Sequence, residues 1–204
     1  MNGAGLRAIA AGLAALLLAA CAGPRVKPVL PTASLLAAQD AREAALRSKD
    51  ASWQLEARLA VSDGRESGSG SLAWRQSGAT FRFTVHAPVT GKTWVLAGDA
   101  SHARLEGLPG GTVEGPDAAW LLERELGWHV PLAELSDWVR GMRAPGPAAI
   151  TFRADGLPAT IDQGGWHIEY RDYAQGHAPA LPRRVYASRD SYSVRLAIRA
   201  WDMP

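Results

Sequence analysis

Residues 53–61 read Trp53-Gln54-Leu55-Glu56-Ala57-Arg58-Leu59-Ala60-Val61. Trp53, Leu55, Ala57, Leu59 and Val61 alternate with Gln54, Glu56, Arg58 and Ala60, the period of two that gives a strand one apolar and one wetted face. The same period returns where Phe81, Phe83 and Val85 alternate with Arg82, Thr84 and His86. It returns again at Trp166, Ile168 and Tyr170, and at Val194, Leu196 and Ile198. One-sided strands belong to antiparallel sheets, since parallel sheets are covered on both faces. Turn signals at Asp63-Gly64, Ser77-Gly78, Gly98-Asp99, Pro109-Gly110-Gly111, Asp155-Gly156 and Gly164-Gly165 have the spacing of a meander. About ten short strands are expected on that hairpin spacing.

Two stretches interrupt the meander. Pro116 to Gly127 is strongly apolar and free of Gly and Pro inside, with Pro116 suited to a first helical turn and Gly127 to a C-terminal stop. Pro131 to about Arg140 follows with Leu132, Leu135, Val139 and Met142 at helical spacing, ended by Gly141. These two helices carry Trp120 and Trp138, with Trp128 between them. A third helix is expected upstream over Ser34–Lys49, capped by Thr32 or Ser34.

The first residues carry a different message. Arg7 is the only charged side chain before Pro24, and Ala8 to Ala20 is an uncharged Ala/Leu run of 13 residues ending at Cys21. A bilayer span needs about 20 apolar residues, so the run fits a cleaved secretory signal instead. Leu18-Ala19-Ala20-Cys21 resembles the lipobox of bacterial lipoproteins, so Cys21 is the expected lipidation site, the alternative being an ordinary cleaved signal with a chance Cys just after it. Ala22 stands where an Asp would mark retention in the inner membrane, so the anchor is expected in the outer membrane, facing the periplasm. The domain plan is then a signal peptide at 1–20, a lipidated N-terminus and flexible tether at 21–32 containing Pro24, Pro28 and Pro31, and a single domain at 33–204.

Composition excludes several classes of function. Lys and Arg number 22 against 20 Asp and Glu, a net charge of +2 that argues against nucleic-acid binding. The single Cys excludes a disulfide framework. Gly91-Lys92-Thr93 resembles the tail of a phosphate-binding loop, but His86 stands where its first glycine belongs and Pro88 falls inside it. No G-x-S-x-G elbow or H-E-x-x-H motif is present, and the five His never pair at ligand spacing. No catalytic residue, metal or cofactor is therefore expected beyond the covalent lipid on Cys21. What remains is apolar surface: a curved sheet closed on one side by Trp-bearing helices would contain something greasy. Trp74, Trp94, Trp120, Trp128, Trp138 and Trp166 would serve equally well to fill an ordinary core, and spacing leaves both readings open.

Several segments, taken in order, resemble the LolB family of outer-membrane lipoproteins. They are the strand at 53–61, Leu72-Ala73-Trp74, Leu126-Gly127-Trp128-His129-Val130-Pro131-Leu132, and Leu135-Ser136-Asp137-Trp138-Val139-Arg140-Gly141. Gln163-Gly164-Gly165-Trp166-His167-Ile168-Glu169-Tyr170, Leu181-Pro182-Arg183-Arg184 and Leu196-Ala197-Ile198-Arg199-Ala200-Trp201 complete the set. The resemblance implies a mainly β fold with a few helices, an unclosed antiparallel β-barrel around an apolar cavity with a helical lid. It implies a monomeric, ATP-independent receptor that accepts triacylated lipoproteins from the periplasmic carrier LolA and inserts them into the inner leaflet of the outer membrane, in contact with its phospholipid. Trp74, Phe83, Val85, Trp94, Leu96, Trp120, Leu121, Trp128, Leu135, Trp138, Trp166 and Ile168 are the expected acyl-chain lining. The membrane-contacting loop of the family, Pro-Leu-Gly in relatives, reads Pro88-Val89-Thr90-Gly91 here, one residue longer and with Val89 in place of Leu. The competing expectation is a structural lipoprotein that binds a protein partner through its sheet.

Overall fold

The computed structural model describes residues 27–48 and 52–203. The signal at 1–20, the lipidation site Cys21 and tether residues 21–26 lie outside the described residues. Eleven strands, one more than expected, form one antiparallel sheet: β1 (Trp53–Ser62), β2 (Ser67–Ser77), β3 (Thr80–Ala87), β4 (Lys92–Gly98), β5 (Ala103–Leu108), β6 (Gly111–Gly115), β7 (Ala148–Phe152), β8 (Pro158–Gln163), β9 (Trp166–Tyr173), β10 (Pro182–Arg189) and β11 (Tyr192–Asp202). The order is β6-β5-β4-β3-β2-β1-β11-β10-β9-β8-β7, so the first and last strands pair in the middle and β6 and β7 are free edges. The barrel is unclosed. Across the central seam Leu55 faces Trp201, Leu59 faces Leu196 and Val61 faces Val194, which keeps the inward registers of both halves on one face.

The three helices are α1 (Ala33–Arg47), α2 (Ala118–Leu126) and α3 (Leu132–Trp138). Thr32 caps α1, its hydroxyl accepting from the Leu35 N–H at 3.3 Å. Asp117, rather than Pro116, starts α2: its carboxylate accepts from the Trp120 N–H at 2.8 Å, which leaves Pro116 outside the helix. Gly127 ends α2 in the left-handed region at φ 67, as a C-terminal glycine should. The described part of the expected tether is not free of the domain, because Val29 exchanges backbone hydrogen bonds of 2.7 and 2.9 Å with Phe152 and so covers part of the β7 edge.

The two halves of the sheet are filled differently. Over β7–β10, Trp138, Phe152, Ile161, Trp166, Ile168 and Tyr170 make a dense core with no residue more than 5% exposed. Trp138 is fixed there: its Nε1 donates to Gln163 Oε1 at 3.0 Å, and the Tyr170 hydroxyl donates to its carbonyl at 2.8 Å. Gln163 is satisfied in turn by exchanging hydrogen bonds of 2.9 and 2.7 Å with the backbone of Ala144. The C-terminal end of α3 is thereby bolted to this half.

Helix α1 braces the loop that follows. The Arg42 guanidinium donates to the carbonyls of Gly141, Arg140 and Ala180 at 2.7, 2.8 and 2.6 Å. Glu43 accepts from the Arg143 backbone N–H at 3.0 Å and from its guanidinium at 2.9 and 3.0 Å. Burial alone would raise the Glu43 carboxyl, but the hydrogen bonds from Arg143 and Gln39 outweigh it and hold the group below its ordinary value.

Two predictions follow from this brace. Arg42→Ala strips three carbonyls of a charged donor and should cost about 3 kcal/mol, read as a lowered urea midpoint. Because the folded-state value of Glu43 is depressed, its contribution is complete above the ordinary value of 4.5 and is lost as pH falls through the folded one. Glu43→Gln should therefore flatten the acid limb of the stability profile, checked by denaturant melts between pH 7 and pH 3.

Candidate functional site: an apolar cavity under two helices

The other half of the sheet, β2–β5 with the ends of β1 and β11, is not filled by its own strands. Register places inward side chains in rows: Leu72 faces Val85, which faces Trp94, and Trp74 faces Phe83, then Leu96, then Leu105. With Leu59 and Val61 of β1 and Val194 and Leu196 of β11 these rows form the floor and walls of a cavity. The roof is Leu122 and Leu126 of α2, Trp128 and Val130 of the linker, and Leu132 and Leu135 of α3.

Every lining residue is apolar. Such a wall offers nothing to pair with a charge or to hold a polar headgroup, and it favours hydrocarbon. The cavity's free volume is about 80 Å³. A cavity of about 150 Å³ is what it takes to bind a single benzene. That volume is too small for an acyl chain, so a bound chain would have to displace roof side chains.

The roof is built for unequal motion. Trp138 bolts one end of α3, whereas Pro131 at the other end gives the helix no side-chain cap. Among the described residues no hydrogen bond holds the indole N–H of Trp128, while that of Trp74 donates to Gln76 Oε1 at 3.0 Å. Trp128 stays in place by packing: a Cβ on Gly68 would sit 3.7 Å from its ring, so the indole rests against a bare stretch of β2.

Trp128 also lines a second groove, which shares Leu59, Val61, Val85 and Trp94 with the cavity as well. Ser67, Gly68, Ser69, Gly70, Ala87, Val89, Thr90 and Lys92 form the rest of its walls. Pro88, Val89, Thr90 and Gly91 are the tip between β3 and β4, with Gly91 at φ 67 and Val89 93% exposed.

Of the residues expected to line the cavity, Trp74, Phe83, Val85, Trp94, Leu96, Trp128 and Leu135 are brought together on its wall. The other five are elsewhere. Trp120 is 37% exposed, its ring against Gly115 and 4.8 Å from the Arg124 guanidinium, because the phase of α2 turns Leu122 and Leu126 inward instead. Leu121 is fully buried between α2 and the β6 edge. Trp138, Trp166 and Ile168 belong to the filled half, where Gln163 offers Trp138 the polar partner that a buried indole needs. The linker residue Val130 was missed because an irregular segment carries no periodic signal, and Leu132 because helical spacing alone does not tell a cavity wall from a filled core.

The molecule can now be compared with known proteins. Residues 51–201 match the family model described as "Outer membrane lipoprotein LolB". This chain belongs to the LolB family. It is 39% identical over 172 residues to the outer-membrane lipoprotein LolB of Xanthomonas campestris pv. campestris strain 8004, covering 81% of this chain and 78% of that one. To the outer-membrane lipoprotein LolB of Xylella fastidiosa strain 9a5c it is 36% identical over 178 residues, covering 86% and 82%. The fold is shared with a solved DUF1329 family protein from Desulfovibrio piger, at a TM-score of 0.51 and 8% identity over 84% of this chain and 94% of that chain.

If Trp128 latches the roof, Trp128→Ala should weaken closure by about 1.4 kcal/mol, which raises the open population roughly tenfold. The association rate of the apolar fluorophore N-phenyl-1-naphthylamine with the cavity should rise by the same factor in stopped-flow fluorescence. An unchanged rate would show that the roof opens elsewhere.

Proposed function

We propose that the protein receives lipid-modified proteins from the soluble periplasmic carrier LolA and delivers them to the inner leaflet of the outer membrane, where acylated Cys21 holds it. The reading rests above all on a wholly apolar cavity under a yielding roof, opening beside the exposed Val89 tip. Family membership and the Leu18-Ala19-Ala20-Cys21 sequence support it.

The physical problem is one of transfer. A triacylated client carries tens of kcal/mol of hydrophobic free energy at about 0.8 kcal/mol per methylene, so its tails must never meet bulk water. Passage from carrier to cavity to bilayer proceeds downhill when each acceptor holds the chains more favourably than the donor, without nucleotide. The roof side chains shield the empty cavity, and arriving acyl chains replace those contacts with their own. The tip completes delivery: Val89 enters the headgroup boundary, while Lys92 beside it meets anionic lipid.

Val89→Glu should leave acceptance from the carrier unchanged and slow insertion into vesicles several-fold, since a charge at the membrane interface costs up to about 1 kcal/mol. Val89→Leu should match or exceed wild type. Both follow from a reconstituted assay that separates client bound to the protein from client in floated vesicles, and full insertion by Val89→Glu would remove the tip from the mechanism.

A further inference from the structure

A second groove adjoins the cavity at the end away from Val89. An open groove lies between the start of α2, the start of α3 and the β2–β3 and β4–β5 turns, floored by Phe81, Phe83, Ala118, Ala119, Leu132 and Ala133. It shares Phe83 and Leu132 with the cavity, just as the tip groove shares Val85 and Trp128. One face of β3 joins all three spaces: Phe81 lies in this groove, Phe83 in groove and cavity, Val85 in cavity and tip groove, Ala87 in the tip groove. Val89 continues the line to the tip.

We infer, resting on the acyl-carrier reading above, that this track is a through-route with separate mouths: acyl chains load at the groove beside the starts of α2 and α3, and leave past Trp128 at the Val89 tip. Three observations carry it. From Phe81 to Ala87 the strand runs roughly 20 Å at about 3.3 Å per residue. One leaflet of a bilayer offers a chain about 15 Å, half of a core about 30 Å thick. The track therefore matches the length of a whole extended chain with one end at each mouth, once roof side chains have given way.

The chemistry of the loading groove fits the same occupant. Two of its three rim carboxylates, Asp99 and Asp117, are already engaged by the backbone, Glu134 being the third, and its floor is apolar, which suits hydrocarbon. Asp117 caps α2, and Asp99 accepts from the Ser101 N–H at 2.8 Å, the Ser101 hydroxyl at 2.8 Å and the His102 N–H at 3.1 Å. Finally, the linker and the first residue of α3 follow the track on the opposite side. Trp128 reaches the tip groove, Val130 the cavity, and Leu132 the loading groove, so one strap closes the whole route. Separate mouths allow carrier and bilayer to engage the protein without competing for one opening.

The test uses the full chain with two sets of variants and a purified triacylated lipoprotein as client. Ala119 and Ala133 are both exposed, so Ala119→Trp with Ala133→Trp fills the loading groove without entering the core. Acceptance from the carrier should fall at least tenfold, while release into phosphatidylethanolamine/phosphatidylglycerol vesicles, after loading by detergent dilution, stays at the wild-type rate. The small pair Ala119→Ser with Ala133→Ser should accept normally. Gly68→Leu, which crowds Trp128 in the tip groove, should show the reverse: normal acceptance and slowed release. Wild-type acceptance by the double Trp variant, or parallel loss of both steps in both variants, overturns separate mouths and leaves a single-mouth carrier. Failure of the wild-type chain to take any client from the carrier overturns the acyl-carrier reading itself.

Discussion

Pairing β1 with β11 decides what this molecule can be. With the first and last strands side by side at the centre of the sheet, the growing ends are β6 and β7, which do not pair with each other. A sheet closed on itself would have no edges and an interior reached only through its ends. Here each edge is managed by the chain itself: Val29 pairs with β7, and α2 packs on β5 and β6, with the Trp120 ring against Gly115. A Cβ at Gly115 would meet that ring at 2.6 Å, so close packing of α2 on the edge depends on glycine there. The opening between the edges is thus covered by helices, which can move, rather than by strands, which could not without breaking a ladder.

Once the sheet is open, stability and function divide between its halves. The β7–β10 half has side chains in every inward position, with its buried indole and phenol groups satisfied by Gln163 and the Trp138 carbonyl. It is a frame, and α1 locks the loop beside it through Arg42 and Glu43. Over the β2–β5 half the inward side chains leave a void and rely on α2, α3 and the linker to exclude water. Apolar contact without directional bonds suits that role, because an acyl chain can replace a leucine or an indole with little change in free energy, whereas it could not replace a hydrogen bond.

The sequence revealed the elements more fully than their arrangement. Alternation at 53–61, 81–86, 166–171 and 194–199 identifies strands and their apolar faces, because burial on one face is a local constraint. Thr32 and Gly127 mark helix ends through equally local backbone chemistry. Pro116 misled because an N-terminal proline and a capping Asp compete for the same few positions, and Asp117 supplies the hydrogen bond. Which half is hollow is not local at all. Trp166 and Ile168 alternate as cleanly as Phe83 and Val85, but only topology puts the former opposite Trp138 and the latter opposite the linker. The Val89 tip could be located from a resemblance, and its exposure from neighbouring turn residues, yet its place at the end of a continuous apolar track required the register of β2, β3 and β4.

The central claim is that one half yields while the other holds, and native-state hydrogen exchange of the full chain tests it most directly. Amides in residues 118–132 should exchange through an opening far less costly than global unfolding and insensitive to denaturant at low concentration, while those of β8, β9 and β10 exchange only through global unfolding. Addition of an acylated client should alter protection in 118–132 and leave β8–β10 unchanged. Uniform protection of both halves, opening only with the whole domain, would contradict the account.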